Sequence, residues 1–306
     1  MKTRESIEAE LDILRRDGEW SSDIPLPHGL WTAGDGSVPH TRLRRIVQVA
    51  HDLSTKPLAQ CRVLDLGSLD GGFAVEFALQ GAATVGIEVR EANLRKARFA
   101  KETLQLANLE FFQQDVRAIS AAALGNFDIV VCSGILYHLE AEAAYKLLST
   151  MFDLTKRLVI IDTHVALETA ERVTLAGREY WGRIYREHSD RSTPPEQEKE
   201  LLSSWGNATS FFFTRPSLLN LLSRVGFSST YECFAPAHLN FGRPGIEHAD
   251  RCTFVAVKDS SVEMRTSPSS NGLEEAWPEG SLTYPRPTIM QRVLRSRRLR
   301  ALFQRA

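Results

Sequence analysis

Cysteine is scarce in this chain. Four occur in 306 residues, Cys61, Cys132, Cys233 and Cys252, and none stands in a C-x-x-C pair. That spacing argues against a disulfide framework or a zinc site and suits a reducing compartment. Long apolar runs are also missing: no stretch approaches the roughly 18–20 residues that cross a bilayer. The opening segment MKTRESIEAELDILRRDGEW is charged throughout and lacks the apolar heart of a secretory signal, so a cytoplasmic location is expected. Neither sign of charge dominates, with 37 Lys and Arg against 38 Asp and Glu and a formal net charge of -1. Nothing in that balance draws the chain toward a polyanionic partner. There is no internal repeat. A composition that is 43% hydrophobic over 306 residues is enough for one substantial core with an appended cap.

The residues that carry chemistry begin at VLDLGSLDGGF, Val63 to Phe73. This reads as a buried strand breaking into a glycine loop and then a helix, Ala74 to Gln80. In that geometry backbone N–H groups and a helix N-terminus face a ligand at close range. About twenty residues on, Thr84 to Glu88 forms a second apolar strand ending on a carboxylate, where the two hydroxyls of a ribose would be held. LEFFQQDVR ends a third strand at Asp115, and FDIVVCSGILYHL is a near-continuous apolar strand running into Tyr137 and His138. Helical patterns lie between them, Asn93 to Leu106 and Glu140 to Phe152. Such alternation marks βαβ units around a parallel sheet.

The glycine spacing, Gly67-x-x-x-Gly71-Gly72, does not fit the G-x-G-x-x-G fingerprint of nicotinamide enzymes. The series Asp65, Gly67, Gly71, Glu88, Asp115 and Phe127-Asp128 resembles class I S-adenosylmethionine-dependent methyltransferases, closely over residues 61–163 and loosely to 258. Leu69 departs from the pattern, standing where the family usually has a middle glycine. The resemblance implies an α/β, Rossmann-like fold: a mainly parallel seven-stranded sheet with helices on both faces, closed by the strand-like runs STYECFAP and DRCTFVAVK. It also implies S-adenosyl-L-methionine as cofactor and S-adenosyl-L-homocysteine as product. Asp65, Gly67, Ser68 and Gly71 would then shape the methionine pocket, Glu88 would hold the ribose, and Val89 would flank the adenine. Asp115 with Val116 would meet the adenine amino group, and Ser133 and Gly134 would line the sulfonium side.

Four domains are expected: N-terminal helices and a gating loop (1–57), a methyltransferase core (58–258) with a cap insertion (166–214), a linker (259–286) and a basic amphipathic helix (287–306). Within the insertion Arg178, Tyr180, Trp181, Tyr185, His188 and Trp205 are candidates for the acceptor pocket or for a satellite core. Those placed against substrate are Tyr137, Arg178, Tyr180, Tyr185 and His188. His164 and His138, each following a core strand, are the candidate bases, with Asp162 either orienting His164 or capping the next helix. A divalent site built from Asp162, His164 and a further histidine lacks the dense ligand spacing such sites show, and no metal is expected.

The stretches GILYHL, AGREYWGR and SFFFTRPSLLNLLSRVGF are also similar, more loosely, to the family that carboxymethylates wobble uridine in transfer RNA. That family clamps a carboxylated cofactor with lysine, arginine and tyrosine. Here Glu179 separates Arg178 from Tyr180, and DIPLPHGLW offers no lysine. The balanced charge further disfavours a nucleic-acid partner. The expected reaction is therefore methyl transfer to oxygen or nitrogen of a small-molecule or glycan-type natural product. RNA modification and non-catalytic cofactor binding stand as alternatives. The tail complicates this: Arg292, Arg295, Arg297, Arg298, Arg300 and Arg305 lie opposite an apolar side. Such a helix suits peripheral contact with an anionic membrane, a grip on nucleic acid, or docking on a partner, the alternative being a solvated tail or a helix packed on its own domain. The sequence does not set the oligomeric state.

Overall fold

The computed structural model describes residues 2–34, 41–189, 192–200, 202–233 and 250–258. The expected linker and basic C-terminal helix, and part of the gating loop, lie outside the described residues. In chain order the elements are α1 (Arg4–Arg15), β1 (Pro25–Leu26), β2 (Leu30–Trp31), α2 (Thr41–Leu53), β3 (Arg62–Leu66), α3 (Gly72–Leu79), β4 (Ala83–Glu88), α4 (Glu91–Thr103) and β5 (Leu109–Gln113). Then come α5 (Ala121–Leu124), β6 (Phe127–Ser133), α6 (Ala141–Leu154), β7 (Thr155–His164), β8 (Glu171–Leu175), β9 (Arg178–Arg186), α7 (Pro194–Lys199) and β10 (Thr209–Phe213). The described chain finishes with α8 (Arg215–Val225), β11 (Ser229–Cys233) and β12 (Arg251–Val257).

Apolar runs with side chains alternating to both faces form the sheet. Leu64 and Leu66 point into a cluster with Leu147 and Met151 of α6 and Leu218 and Leu222 of α8. Val63, one residue before Leu64 and so on the opposite face, points into a cluster with Ile46 and Ala50 of α2 and Phe77 of α3. A strand buried on both faces must be apolar at every position, which is why these segments read as continuous runs. At the N-terminus, Ile7, Leu11 and Leu14 form one stripe of α1 and pack with Trp20, Ala97 and Phe99. The Thr3 hydroxyl caps that helix by accepting the Ser6 N–H.

The sheet has the order β11-β12-β7-β6-β3-β4-β5. Strands β3 to β7 run parallel, and β12 enters antiparallel between β7 and β11. From β3 the chain builds outward through β4 to β5, then returns to the opposite side of β3 for β6. The order therefore switches between β3 and β6, and the crevice outside their carboxyl ends is where such sheets take ligands.

The insertion forms a small sheet of its own. Residues 171–186 and 209–213 form a three-stranded antiparallel sheet, β10-β9-β8. In β9, period two decides which side chain is buried: Tyr180 and Gly182 face inward, whereas Trp181 and Arg183 are exposed. Gly182 is needed for close approach, since a Cβ there would lie 2.3 Å from the Phe212 carbonyl oxygen.

Candidate active site

A cleft of about 1430 Å³ opens at the switch between β3 and β6. It exceeds the roughly 300–1,000 Å³ usual for one small ligand, leaving room for two reactants side by side. The glycine loop makes one wall. Gly67 has φ +64°, and a Cβ on it would sit 2.0 Å from Ile135 Cδ1, so only glycine lets the loops after β3 and β6 meet. Leu69 stands in the left-handed region as well, with φ +48°. The family's middle glycine conformation is thus kept here by a leucine, whose N–H donates to Glu88 Oε2 at 2.9 Å.

Glu88 ends β4 inside the cleft. Its Oε1 accepts the Arg90 N–H at 2.8 Å, so each carboxylate oxygen holds one backbone donor and keeps a further lone pair. Burial pushes the Glu88 carboxyl up, opposed by the Arg90 and Leu69 N–H groups. Below the loop Asp65 is pushed up to about 8, first by burial and then by the Glu88 charge, with the Ala74 N–H acting against both. Asp65 and Gly71 are not cleft-lining; they support the loop from behind. Ser68, Val89, Val116, Ser133 and Gly134 all line the cleft with Gly67 and Glu88. Three buried polar atoms without a hydrogen-bond partner belong to cleft-lining residues: Ser68 Oγ, Asn93 Nδ2 and Ser133 Oγ. Such a set costs free energy unless a polar ligand satisfies it. The residues therefore fit an amino-acid-bearing nucleoside such as S-adenosylmethionine.

Asp115 lines the cleft, and its carboxylate is engaged within the chain. Its carboxylate accepts the Arg117 N–H (2.8 Å), Nε (3.0 Å) and Nη2 (2.5 Å). Burial would raise this carboxyl, but the Arg117 contacts outweigh it and hold it low. Most of its accepting capacity is thus spent within the chain. The same Arg117 Nη2 donates to the Trp205 carbonyl at 3.0 Å, while Arg90 donates to the Ser203 and Ser204 carbonyls and stacks its guanidinium 5.3 Å from the Trp205 ring. The insertion thereby closes over the cofactor end of the cleft.

The N-terminal segment contributes the opposite lip. Asp70 accepts the Ser21 N–H and hydroxyl and the Ser22 N–H, and Lys96 donates to the Gly18 and Glu19 carbonyls. Sequence reading missed both anchors, because their partners lie 48 to 78 residues away.

At the other end stand two histidine–carboxylate pairs. His138 Nδ1 lies 2.9 Å from Glu187 Oε2, and His164 Nδ1 lies 2.7 Å from Asp250 Oδ2. Both rings line the cleft, with the Tyr137 ring between them at 4.1 Å and 4.7 Å. Glu187 is itself fixed by the Ser210 hydroxyl (2.6 Å) and the Ser204 N–H (3.2 Å). Asp162 takes neither of the two roles expected of it, orienting His164 or capping a following helix. It is fully buried and takes Arg251 Nε at 2.6 Å and the Thr253 hydroxyl at 2.7 Å. No group of three or more His, Cys, Asp or Glu suited to a metal ion occurs among the described residues.

The insertion candidates separate. Tyr180 is buried in the main core and turned from the cleft, and Arg178 sits exposed beside the β8–β9 turn. His188 is structural: its ring bridges Glu200 Oε2 (2.9 Å) and the Ser204 carbonyl (3.1 Å), shaping the loop that carries Trp205. Tyr185 stacks on Phe212 at 5.0 Å, and Phe212 in turn stacks on His164 at 5.9 Å. Tyr137, by contrast, lines the cleft directly.

A switch-point cleft under a glycine loop, beside a sheet with one late antiparallel strand, is the architecture of class I S-adenosylmethionine-dependent methyltransferases. A family model described as a methyltransferase domain matches residues 58–203. The ubiquinone biosynthesis O-methyltransferase of Acinetobacter baylyi is 37% identical over 87 residues, 28% of this chain and 37% of its own length. The protein of the same name from Albidiferax ferrireducens is 34% identical over 88 residues, 29% of this chain and 35% of its own. The chain thus spans little more than a third of the length of these curated relatives. Among solved structures, the N-terminal domain of EvdMO1 with SAH bound aligns with a TM-score of 0.63 at 24% identity, over 84% of this chain and 97% of that one. The same domain in the presence of SAH and D-fucose gives 0.60 at 25% identity over the same shares. No helix among the described residues is long and apolar enough to cross a membrane.

Proposed function

We propose that the protein is an S-adenosylmethionine-dependent O-methyltransferase acting on a small hydroxylated molecule, a glycan-type natural product included. The observation that carries this reading is the placement of the His138–Glu187 pair in the same cleft as the glycine loop and Glu88. Oxygen is favoured over nitrogen by the presence of a held base, since a hydroxyl must lose its proton as it attacks. The relatives named as O-methyltransferases agree with it.

The bound cofactor supplies an electrophilic methyl group. The chain's own residues do the rest. Glu88 would accept the ribose hydroxyls on its remaining lone pairs, and Ser133 and Gly134, which line the cleft, would lie on the sulfonium side. The acceptor hydroxyl donates to His138 Nε2, because Nδ1 is committed to Glu187. His138 takes the proton, and Glu187 balances the charge the ring gains. His164, held by Asp250 across the Tyr137 ring, flanks the acceptor and is the second candidate base. Holding the oxygen about 3–3.5 Å from the methyl carbon is where most of the acceleration arises. Trp205 and the 18–23 segment exclude water from the two ends.

Incubating the protein with methyl-labelled cofactor and a panel of phenols, sugars and amines tests this. Label on oxygen, with turnover lowered about 10²-fold or more by His138→Ala at unchanged cofactor affinity, is expected. Label on nitrogen, or full activity in both His138→Ala and His164→Ala, overturns it.

A further inference from the structure

The cleft does not stop at the reacting groups. It runs on along α2 and α3, where Leu43, Val47 and His51 of one helix and Phe73, Glu76 and Leu79 of the other line it. Positions three or four apart share a helix face, so each set is one stripe, about 9–12 Å long. Phe73 joins this stretch to the acceptor end. Arg42 lies over its ring at 6.0 Å and stands 3.9 Å from Asp162 Oδ1. Arg251, 2.6 Å from the same carboxylate oxygen, lies 4.9 Å from the Tyr137 ring centre. A molecule whose hydroxyl meets His138 beside Tyr137 therefore has a path past Phe73 within one cleft.

The composition of this stretch selects what it holds. Among the eight residues of α3, only Glu76 carries a polar side chain. A helix that is apolar all round needs cover on every side. The fold buries Ala74, Val75, Phe77 and Ala78 but leaves Phe73 half-buried and Leu79 48% exposed. Leu43 and Val47 of α2 are half-buried in the same stretch, and Gln48 and His51 stand exposed at its edge. An apolar floor of this kind offers sugar hydroxyls few hydrogen-bond partners and gains free energy by covering a hydrocarbon chain. Because it continues the reacting cleft, a part of the acceptor reaches it more directly than a second protein does. The cleft's volume of about 1430 Å³ leaves space for such a chain beside the cofactor and a reacting head group.

We propose that the acceptor bears a hydrocarbon chain, which lies along α2 and α3 over Leu43, Val47, Phe73 and Leu79 while its hydroxyl faces His138. This rests on the methyltransferase reading above and narrows its acceptor to an amphiphile. It also gives α2, which precedes the core, a part in specificity.

The test uses the full chain loaded with S-adenosylhomocysteine, titrated by calorimetry with phenol, 4-butylphenol and 4-octylphenol. Each methylene that becomes buried should tighten binding roughly fourfold, or about 0.8 kcal/mol. 4-Butylphenol should therefore bind at least tenfold more tightly than phenol, and 4-octylphenol at least tenfold more tightly again. Leu79→Glu and Leu43→Glu, one on each helix, should each remove most of that gain while leaving S-adenosylhomocysteine affinity within twofold. Leu79 is nearly half exposed, so its variant keeps the fold. Affinity that does not rise with chain length, or a rise that survives both variants, overturns the proposal. So does a native dimer that Leu79→Glu dissociates, since the stretch is then an interface between copies. Failure of S-adenosylhomocysteine to bind the native chain defeats the methyltransferase reading itself, whatever the alkylphenols do.

Discussion

Two buried aspartates, Asp65 and Asp162, should respond to the same conservative change in opposite ways. Asp162 has no exposed surface, and its charge faces Arg251 at 2.6 Å, Arg45 and Arg42. Burial alone would raise its carboxyl, but the arginines and Thr253 hold it below its ordinary value. Asp162→Asn keeps the shape and removes the charge that these guanidinium groups share. Breaking a buried pair in this way costs about 3–5 kcal/mol, a fall in Tm of roughly 10 °C for a domain of this size. Because the folded carboxyl titrates below the unfolded one, the stabilisation is fully present above about pH 4 and fades only as pH falls through the folded value. Asp65 is the reverse case. Its carboxyl is pushed up to about 8 by burial and by Glu88, and one oxygen has no partner. The folded state therefore binds the extra proton from about pH 4 to 8, and stability drains away as pH rises through that window. Asp65→Asn should cost little at pH 5 and stabilise by a few kcal/mol at pH 8 relative to the native chain. Urea unfolding of all three proteins at pH 5, 6.5 and 8 reads both effects. If Asp162→Asn were as stable as the native chain at pH 6.5, or if Asp65→Asn lost more stability at pH 8 than at pH 5, this reasoning would fail.

Further expectations concern the loop and the cleft walls. Gly67→Ala places a Cβ 2.0 Å from Ile135 Cδ1 at φ +64°, so it should cost roughly 2–4 kcal/mol in thermal unfolding and weaken S-adenosylhomocysteine binding at least tenfold. Trp205→Ala removes the ring that Arg90 lies against; it should weaken cofactor binding several-fold without lowering Tm by more than a few degrees. Glu187→Gln should lower kcat more than it changes KM and shift the pH profile of kcat, whereas a purely structural Glu187 would move only Tm.

The range of an interaction along the chain decided how legible it was in the sequence. Strands β3 to β7 and the Gly67–Gly72 loop declare themselves because apolar runs and turn glycines act on neighbouring residues. Glu88 was found for the same reason: its place at a strand end is set by spacing. The insertion was harder to read, since GREYWGRIYR has aromatics at intervals that suit neither a helical face nor a strand until β8 and β10 pair with it. Pairing then buried Tyr180 and left Trp181 outside. The cleft chemistry was least legible. His164 meets Asp250 86 residues away, Asp162 meets Arg251 89 residues away, and Arg90 reaches Ser204 across 114. No local pattern encodes those partners. Asp115 shows the converse: it lines the cleft just after β5, yet Arg117, two residues on, already bonds its carboxylate.

The central claim is that Glu88 and the glycine loop form a binding site for S-adenosylmethionine. Titration calorimetry of S-adenosylhomocysteine against the native chain and Glu88→Ala tests it most directly. The account predicts one-to-one binding by the native chain and a loss of at least a hundredfold in the variant, with its fold intact by circular dichroism. Native affinity in Glu88→Ala, or no binding to the native chain, would contradict it.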